Sequence, residues 1–293
     1  MSTQLALFEA YEVCKPNAPK GQLLKWIGNK QRFAEEIVSM FPAGYRRYHE
    51  PFLGSGAVLA TLSPEEATAS DTFGPLMEIW AALKDAPETL YEWYRERWEL
   101  TRENKRQGYE RIKASYNERP NGADLLFLCR SCYGGVVRFR KADGYMSTPV
   151  GIHNPIKPDS FATRVNEWHR RVQGTTFLHR PYELTMSEAR RGDLVYCDPP
   201  YSYSQSILYG AQEFSLESLM ASIADCKNRG VHVALSIDGR KKSGALDCEL
   251  DIPDGLFERE LYIECGRSML KRFQMEGHSL EEEHVADRLL LTF

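Results

Sequence analysis

The chain has 293 residues, 42% hydrophobic and 27% charged, with a formal net charge of −4. That balance suits a globular protein with a core of its own and excludes bulk disorder, collagen and fibre. Read alone, the small acidic excess argues against a nucleic-acid binder.

No apolar run approaches the ~20 residues of a membrane span. Residues 1–13 carry two Glu and no basic region, so they read as a loose tail rather than a signal peptide. The seven cysteines are scattered, which points to a reduced, cytoplasmic compartment. Cys129 and Cys132 form the one close pair. Inside an apolar helical run they read as buried thiols, with a metal or redox role as the lesser alternative.

In chain order, Pro16 to Gly21 is a turn-rich entry. Asn29 to Phe41 has a helical period and stops at Pro42. Arg46 to Pro51 reads as a strand, Gly54 to Gly56 as a tight turn and Ala57 to Leu62 as a helix. Ala67 to Ser70 is a short strand closed by Asp71, and Pro75 to Leu83 is helical. Strand, glycine turn, helix, strand and acid make half of a nucleotide-binding α/β unit.

From about residue 85 the texture changes. Pro87 to Arg119 and Asp124 to Cys132 read as helices. Tyr133 to Arg140 alternates like a strand, Lys141 to Gly144 turns, and Tyr145 to Thr148 returns, which predicts a β-hairpin. A proline-rich loop follows, then a helix over Ser160 to Val172. The α/β rhythm resumes with strands at Thr175 to Leu178 and Gly192 to Cys197. A helix at Leu216 to Arg229 precedes strands at Val231 to Ile237, Leu256 to Glu264 and Ala286 to Phe293. The predicted fold is a Rossmann-like α/β core, residues 1–84 and 173–293, interrupted by a mostly helical insertion, residues 85–172.

Charge follows the same division. Arg95 to Arg191 holds 19 Lys/Arg and 11 Asp/Glu, a net +8, which leaves −12 for the remainder. That asymmetry suggests a basic face meeting a polyanion. The bland alternative is a solvated helical surface.

Asp198-Pro199-Pro200-Tyr201 follows an apolar strand, at the edge of a parallel sheet where ligands bind. The prolines stiffen the loop and remove two donors, which leaves carbonyls as free acceptors. With the Asp198 carboxylate and the Tyr201 ring, the loop suits a planar ring bearing an amine: two hydrogen bonds accepted, one face stacked. The alternative is a rigid turn. Glu50-Pro51-Phe52-Leu53-Gly54-Ser55-Gly56 lets backbone approach a ligand closely. Leu59 replaces the third glycine of a dinucleotide fingerprint, so an adenosyl ligand without pyrophosphate fits better. Asp71 stands where ribose hydroxyls are bound. Lys25-Trp26-Ile27-Gly28-Asn29-Lys30 is a third candidate, or simply a helix entry.

In this order, with a basic insertion before DPPY, the chain resembles the alpha subgroup of the Dam-type DNA adenine-N6 methyltransferases over roughly residues 22–293. Tyr133 to Phe139, followed by Pro149-Val150-Gly151, resembles the family's recognition hairpin. The resemblance implies S-adenosylmethionine as cofactor, contacted by Trp26, Lys30, Phe52, Gly54, Gly56, Asp71 and Asp198. It implies methyl transfer to N6 of a flipped-out adenine by Asp198, Pro199, Pro200 and Tyr201. Aromatics are also common beyond that motif, at Tyr209 and Phe214. The resemblance assigns base reading to Arg138, apolar contact with a thymine methyl to Val136 and Pro149, and phosphate contact to Arg140 and Lys141. Lys157, Arg164, Arg170 and Arg171 read as further phosphate contacts or solvated charges.

The expected target is GATC or a related site in duplex DNA. Two departures bear on it: the hairpin turn is one residue longer than the family pattern, and Gly134-Gly135 replaces an Asn-Gly. The expected setting is bacterial or phage-encoded: restriction-modification with a cognate endonuclease as genetic partner, phage protection, or an orphan enzyme. A monomer or weak dimer without metal or membrane attachment is expected. The alternatives are amino methylation of cytosine N4 or RNA adenine, and a catalytically silent DNA-binding module.

Overall fold

A computed structural model of the chain describes residues 17–140, 142–200, 214–241, 252–267 and 284–293. Tyr201, Lys141 and Tyr209 lie outside these residues. The first half of the fold runs α1 (Ala34–Ser39), β1 (Tyr48–Glu50), α2 (Ala57–Leu62), β2 (Ala67–Asp71) and α3 (Gly74–Asp85). Four helices follow, α4 (Pro87–Leu100), α5 (Lys105–Glu118), α6 (Gly122–Ser131) and α7 (Pro158–Arg171). The chain then returns through β3 (Thr175–His179), α8 (Tyr182–Glu188), β4 (Leu194–Cys197), α9 (Leu216–Asn228), β5 (His232–Lys241), β6 (Arg259–Arg267) and β7 (His284–Leu291).

The strands form one seven-stranded sheet in the order β3-β2-β1-β4-β5-β7-β6. β3, β2, β1, β4 and β5 pair in parallel. β7 inserts antiparallel between β5 and β6. β1, β2 and β4 are buried at every residue, as a sheet with both faces covered requires. Along β4 the faces alternate: Leu194 and Tyr196 join one apolar cluster, Val195 and Cys197 the other. The second cluster takes Met186 from α8 and Leu219 and Ile223 from α9. The first runs without a break from the sheet into the inserted helices, through Trp80 to Trp168, Phe161, Tyr94, Phe127 and Tyr109.

Three expectations need correction. Pro87 to Arg119 is two helices, because Thr101 ends α4 and Asn104 caps α5 by accepting from the N–H of Gln107. The Tyr133 to Arg140 strand does not form. Gly134 and Gly135, at φ 67° and 69°, bend Tyr133–Gly135 into a 3-10 turn. Beyond it the hairpin is held by single bridges, Phe139 opposite Met146 and Cys132 opposite Val150. The Arg138 N–H donates to the Thr148 hydroxyl, so a side chain replaces one rung of the ladder. Finally, α8 was not foreseen; Pro181 precedes it and Tyr182 anchors it.

α6 is buried along its whole length, including Asp124 and Arg130. Asp124 accepts from Arg97 at 2.7 Å, and Arg130 donates to the carbonyls of Gln22 and Leu23 at 2.7 Å each. Cys129 and Cys132 are buried free thiols, pushed up to about 12 by burial. No described helix is long and apolar enough to cross a membrane.

The turn into α2 supplies a stability test. Gly56 caps the helix at φ +58°, and a Cβ there would come within 2.6 Å of the Trp80 ring. Gly44, at φ +75°, has open space around it. Gly56→Ala should therefore lose about 2–4 kcal/mol, from strain plus overpacking, whereas Gly44→Ala should lose about 1 kcal/mol from strain alone. Urea unfolding of both variants measures the difference.

Candidate active site

The parallel strands β1, β2 and β4 end at one edge of the sheet, and their loops surround a cleft of about 870 Å³. Open α/β sheets place ligands at this edge. Trp26, Lys30, Phe52, Gly54, Asp71, Asp198, Pro199 and Pro200 all line it. Residues separated by 172 positions in sequence thus meet in one cavity.

The glycine loop is held from both sides. The Gly54 N–H donates to Asp71 Oδ2 at 3.1 Å, and the Gly54 carbonyl accepts from Trp80 Nε1 at 3.2 Å. Asp71 Oδ1 also takes the Phe73 N–H at 3.0 Å. Burial raises the Asp71 carboxyl, and these N–H donors oppose the rise. A carboxylate has about four acceptor positions; the N–H groups of Gly54, Phe73 and Thr72 engage up to three of them and leave about one. Trp26 packs beside Gly54 and lies 6.2 Å from the Phe73 ring, which makes an aromatic wall. Phe52 stacks on Tyr182 at 4.9 Å and meets Phe214 edge-on at 6.0 Å.

Lys30 is 5% exposed and sits between two carboxylates. Its Nζ is 3.0 Å from Asp198 Oδ1 and 3.2 Å from Asp287 Oδ2. Glu50, at the end of β1, is buried beside them and accepts from the Tyr48 hydroxyl at 2.6 Å. Burial, helped by the negative charge of Asp198, pushes the Glu50 carboxyl up to about 8; the Tyr48 hydrogen bond opposes this. The edge therefore carries one carboxyl held protonated at neutral pH and one held in an ion pair, two environments that suit different roles.

Arg140 lines the far wall of the cleft with Asp143, Gly144 and Tyr145. It is fastened within the hairpin: Nη2 is 2.7 Å from Asp143 Oδ2, and its guanidinium lies 4.3 Å from the Tyr145 ring centre. Gly56 does not line the cleft; its part is the cap of α2. Arg138, Val136 and Pro149 also lie off the cleft. Arg164 and Arg171, read as phosphate contacts or solvated charges, instead donate to backbone carbonyls of Gln22 and Ala60.

Sequence reasoning assigned no role to Glu50 or Asp287 and left out Phe73 and Tyr182. Glu50 stood in the glycine motif, where a carboxyl before Pro at a strand end was a usable signal. Asp287 had none, since an acid in a late edge strand is ordinary.

Residues 26–247 match the family described as D12 class N6 adenine-specific DNA methyltransferase. The chain is 27% identical to a DNA adenine methylase of Vibrio cholerae over 225 residues, 73% of this chain and 79% of the relative. It is 27% identical to the type II methyltransferase M1.LlaDCHI of Lactococcus lactis over 229 residues, 72% of this chain and 79% of the relative. To the retron Ec67 DNA adenine methylase of Escherichia coli it is 29% identical over 186 residues, 61% and 63% of the two chains.

The buried carboxyl predicts a pH dependence. The folded value of Glu50, about 8, lies above its ordinary 4.5, so the native state binds this proton more tightly than the unfolded chain. Stability from this group is fully present below about 4.5 and is lost as pH rises toward 8. Glu50→Gln should flatten that decline, by an amount on the order of several kcal/mol. Urea unfolding of both proteins at intervals from acid to alkaline pH measures it; parallel curves would show that Glu50 folds ionised.

Proposed function

The chain belongs to the D12 class N6 adenine-specific DNA methyltransferase family, and on that premise we propose that the cleft at the sheet edge binds S-adenosylmethionine and an adenine swung out of duplex DNA. The observation that carries this reading is the meeting of Trp26, Asp71, the glycine loop and Asp198-Pro199-Pro200 in one cavity.

The cavity fits the cofactor on its own chemistry. Trp26 and Phe73 offer aromatic faces for a purine. Asp71 retains an acceptor position for a ribose hydroxyl, and Gly54 brings backbone to the cavity wall without a side chain. S-adenosylmethionine supplies the methyl group on a sulfonium that is its own leaving group. The protein's task is then alignment and electrostatics.

Asp198 accepts from the adenine amine. Pro199 and Pro200 leave the carbonyls before them without competing N–H partners. Together they turn the nitrogen lone pair toward the methyl donor and stabilise the positive charge that grows on nitrogen. A base inside a duplex cannot reach the cavity, and extrusion costs a few kcal/mol. The resemblance assigns the compensating stacking to Tyr201.

Residues 85–172 form the target-recognition part. It is mostly helical and carries the hairpin, whose tip forms the cleft wall opposite the sheet edge. Arg138 reads a base edge, with Val136 and Pro149 beside it. Arg106, Arg111, Arg119, Lys157 and Arg170 are exposed and take phosphates. Arg140 joins them when a phosphate displaces Asp143.

Two measurements test the reading. Wild-type protein should transfer tritiated methyl groups to an adenine-containing duplex, and Asp198→Ala should be slower by roughly 10²–10³-fold or more; a wild type that transfers none sinks it. Much of the basic charge is engaged within the protein, and the cations just named leave about six phosphate contacts. Duplex affinity should then fall roughly 10³-fold between 50 and 200 mM salt. A flat response would show that residues 85–172 do not meet the backbone.

A further inference from the structure

Lys30 joins two strands to the segment ahead of α1. It precedes α1 and reaches Asp198, at the end of β4, and Asp287, in β7. β5 lies between β4 and β7 in the sheet, so the two aspartates do not sit on adjacent strands. Their positions along the sheet nonetheless agree. Cys197 pairs with Leu235, and Asp287 pairs with Asp238, so Asp287 stands just past the level at which β4 ends. Asp198 lines the cleft; Asp287 does not and is less exposed, 13% against 19% for the side chains. Asp287 also lies beyond residues 26–247, the stretch matched by the family.

We infer that Asp287 is a positioning residue for methyl transfer, acting on Asp198 through the shared Lys30 ammonium. This rests on the reading of Asp198 as the acceptor of the adenine amine. A buried ammonium facing one carboxylate would be matched by that carboxylate alone, drawing its negative charge toward Nζ and away from the cleft. A second carboxylate at 3.2 Å divides the ammonium's attraction. Asp198 then keeps acceptor strength for the amine, while Lys30 still fixes its orientation. Glu50, which feels the charge of Asp198, is pushed by burial toward the protonated, uncharged form. Arg288, the next residue of β7, is engaged by Glu260 at 2.8 Å and leaves Asp287 to Lys30.

Single-turnover methyl transfer, with enzyme in excess over an adenine-containing duplex, tests this in wild type, Asp287→Asn, Asp287→Glu and Arg288→Gln. Asp287→Asn should slow the transfer step about 10–100-fold while the Kd for S-adenosylmethionine changes less than about threefold. Asp287→Glu, which restores the charge, should recover at least about threefold over Asp287→Asn. Arg288→Gln, which perturbs the same strand without touching Lys30, should stay within about twofold of wild type. A rate within twofold of wild type in Asp287→Asn, or a loss expressed wholly in Kd, overturns the inference. If Asp287→Asn does not fold, Asp287→Ser, which also removes the charge, decides: slowed transfer with Kd unchanged supports the inference, and a wild-type rate overturns it.

A wild type without transfer activity defeats the underlying reading instead, and thermal melting then tests the coupling. Asp198→Asn and Asp287→Asn should be non-additive in Tm with Lys30 present and additive in a Lys30→Met background. Additivity in both backgrounds overturns the inference.

Discussion

One indole ties the glycine loop to the body of the fold. Trp80 is fully buried in α3, its Nε1 bonds the Gly54 carbonyl, and its ring lies under Gly56. The same ring stacks on Phe177 of β3 at 5.5 Å and meets Trp168 of α7 at 5.9 Å. With Asp71 holding the Gly54 N–H, both polar groups of that glycine are fixed by neighbours that cannot move without disturbing the core. A loop of small residues would otherwise sample many conformations. Here the geometry is set by packing, and α7, far along the sequence, takes part in setting it.

The basic charge of the chain divides into two uses. Arg130 and Arg164 donate to the carbonyl of Gln22, and Arg171 reaches those of Asn17 and Ala60. Trp168 Nε1 adds a bond to the Gly21 carbonyl at 2.8 Å. These groups fasten the inserted helices to the segment that leads into Trp26 and Lys30. The guanidinium suits the task, since it offers several donors in a fixed plane and stays charged. Arg130 also lies over the Phe161 ring at 5.3 Å. A charge count across the insertion therefore overstates the surface available to a polyanion, although its sign and location still point to one.

Where local signals were strong, the sequence was readable. Ala57–Leu62 and the short strand ending at Asp71 stand where glycine, proline and apolar spacing placed them. The sheet edge was readable too, because a glycine turn and a proline pair each follow a buried strand. The break after Leu100 was obscured by a long charged stretch whose only stop signal was Asn104 as a cap. The alternation from Tyr133 to Arg140 predicts a strand, but Gly134 and Gly135 within it adopt positive φ, which takes the chain out of strand geometry. Partners of Lys30 could not be read at all. They depend on the register of an antiparallel strand from the far end of the chain, which no local pattern encodes.

That register has a consequence for how the fold works as a whole. In a sheet of parallel strands only the residues that follow each strand reach the ligand edge. β7 runs the other way, so its beginning, rather than its end, lies there. Asp287 is delivered to Asp198 from the last strand, and Lys30 from the segment ahead of the first helix. Both ends of the α/β core thus converge on one carboxylate, with Glu50 of the neighbouring β1 buried close by. Burying an unpaired Lys30 ammonium there would cost several kcal/mol. The two carboxylates hold it, and it in turn holds them near each other against their own repulsion. The two aspartates therefore share one ammonium only where the last strand lies in the sheet, so the ion-pair cluster is a product of the complete sheet.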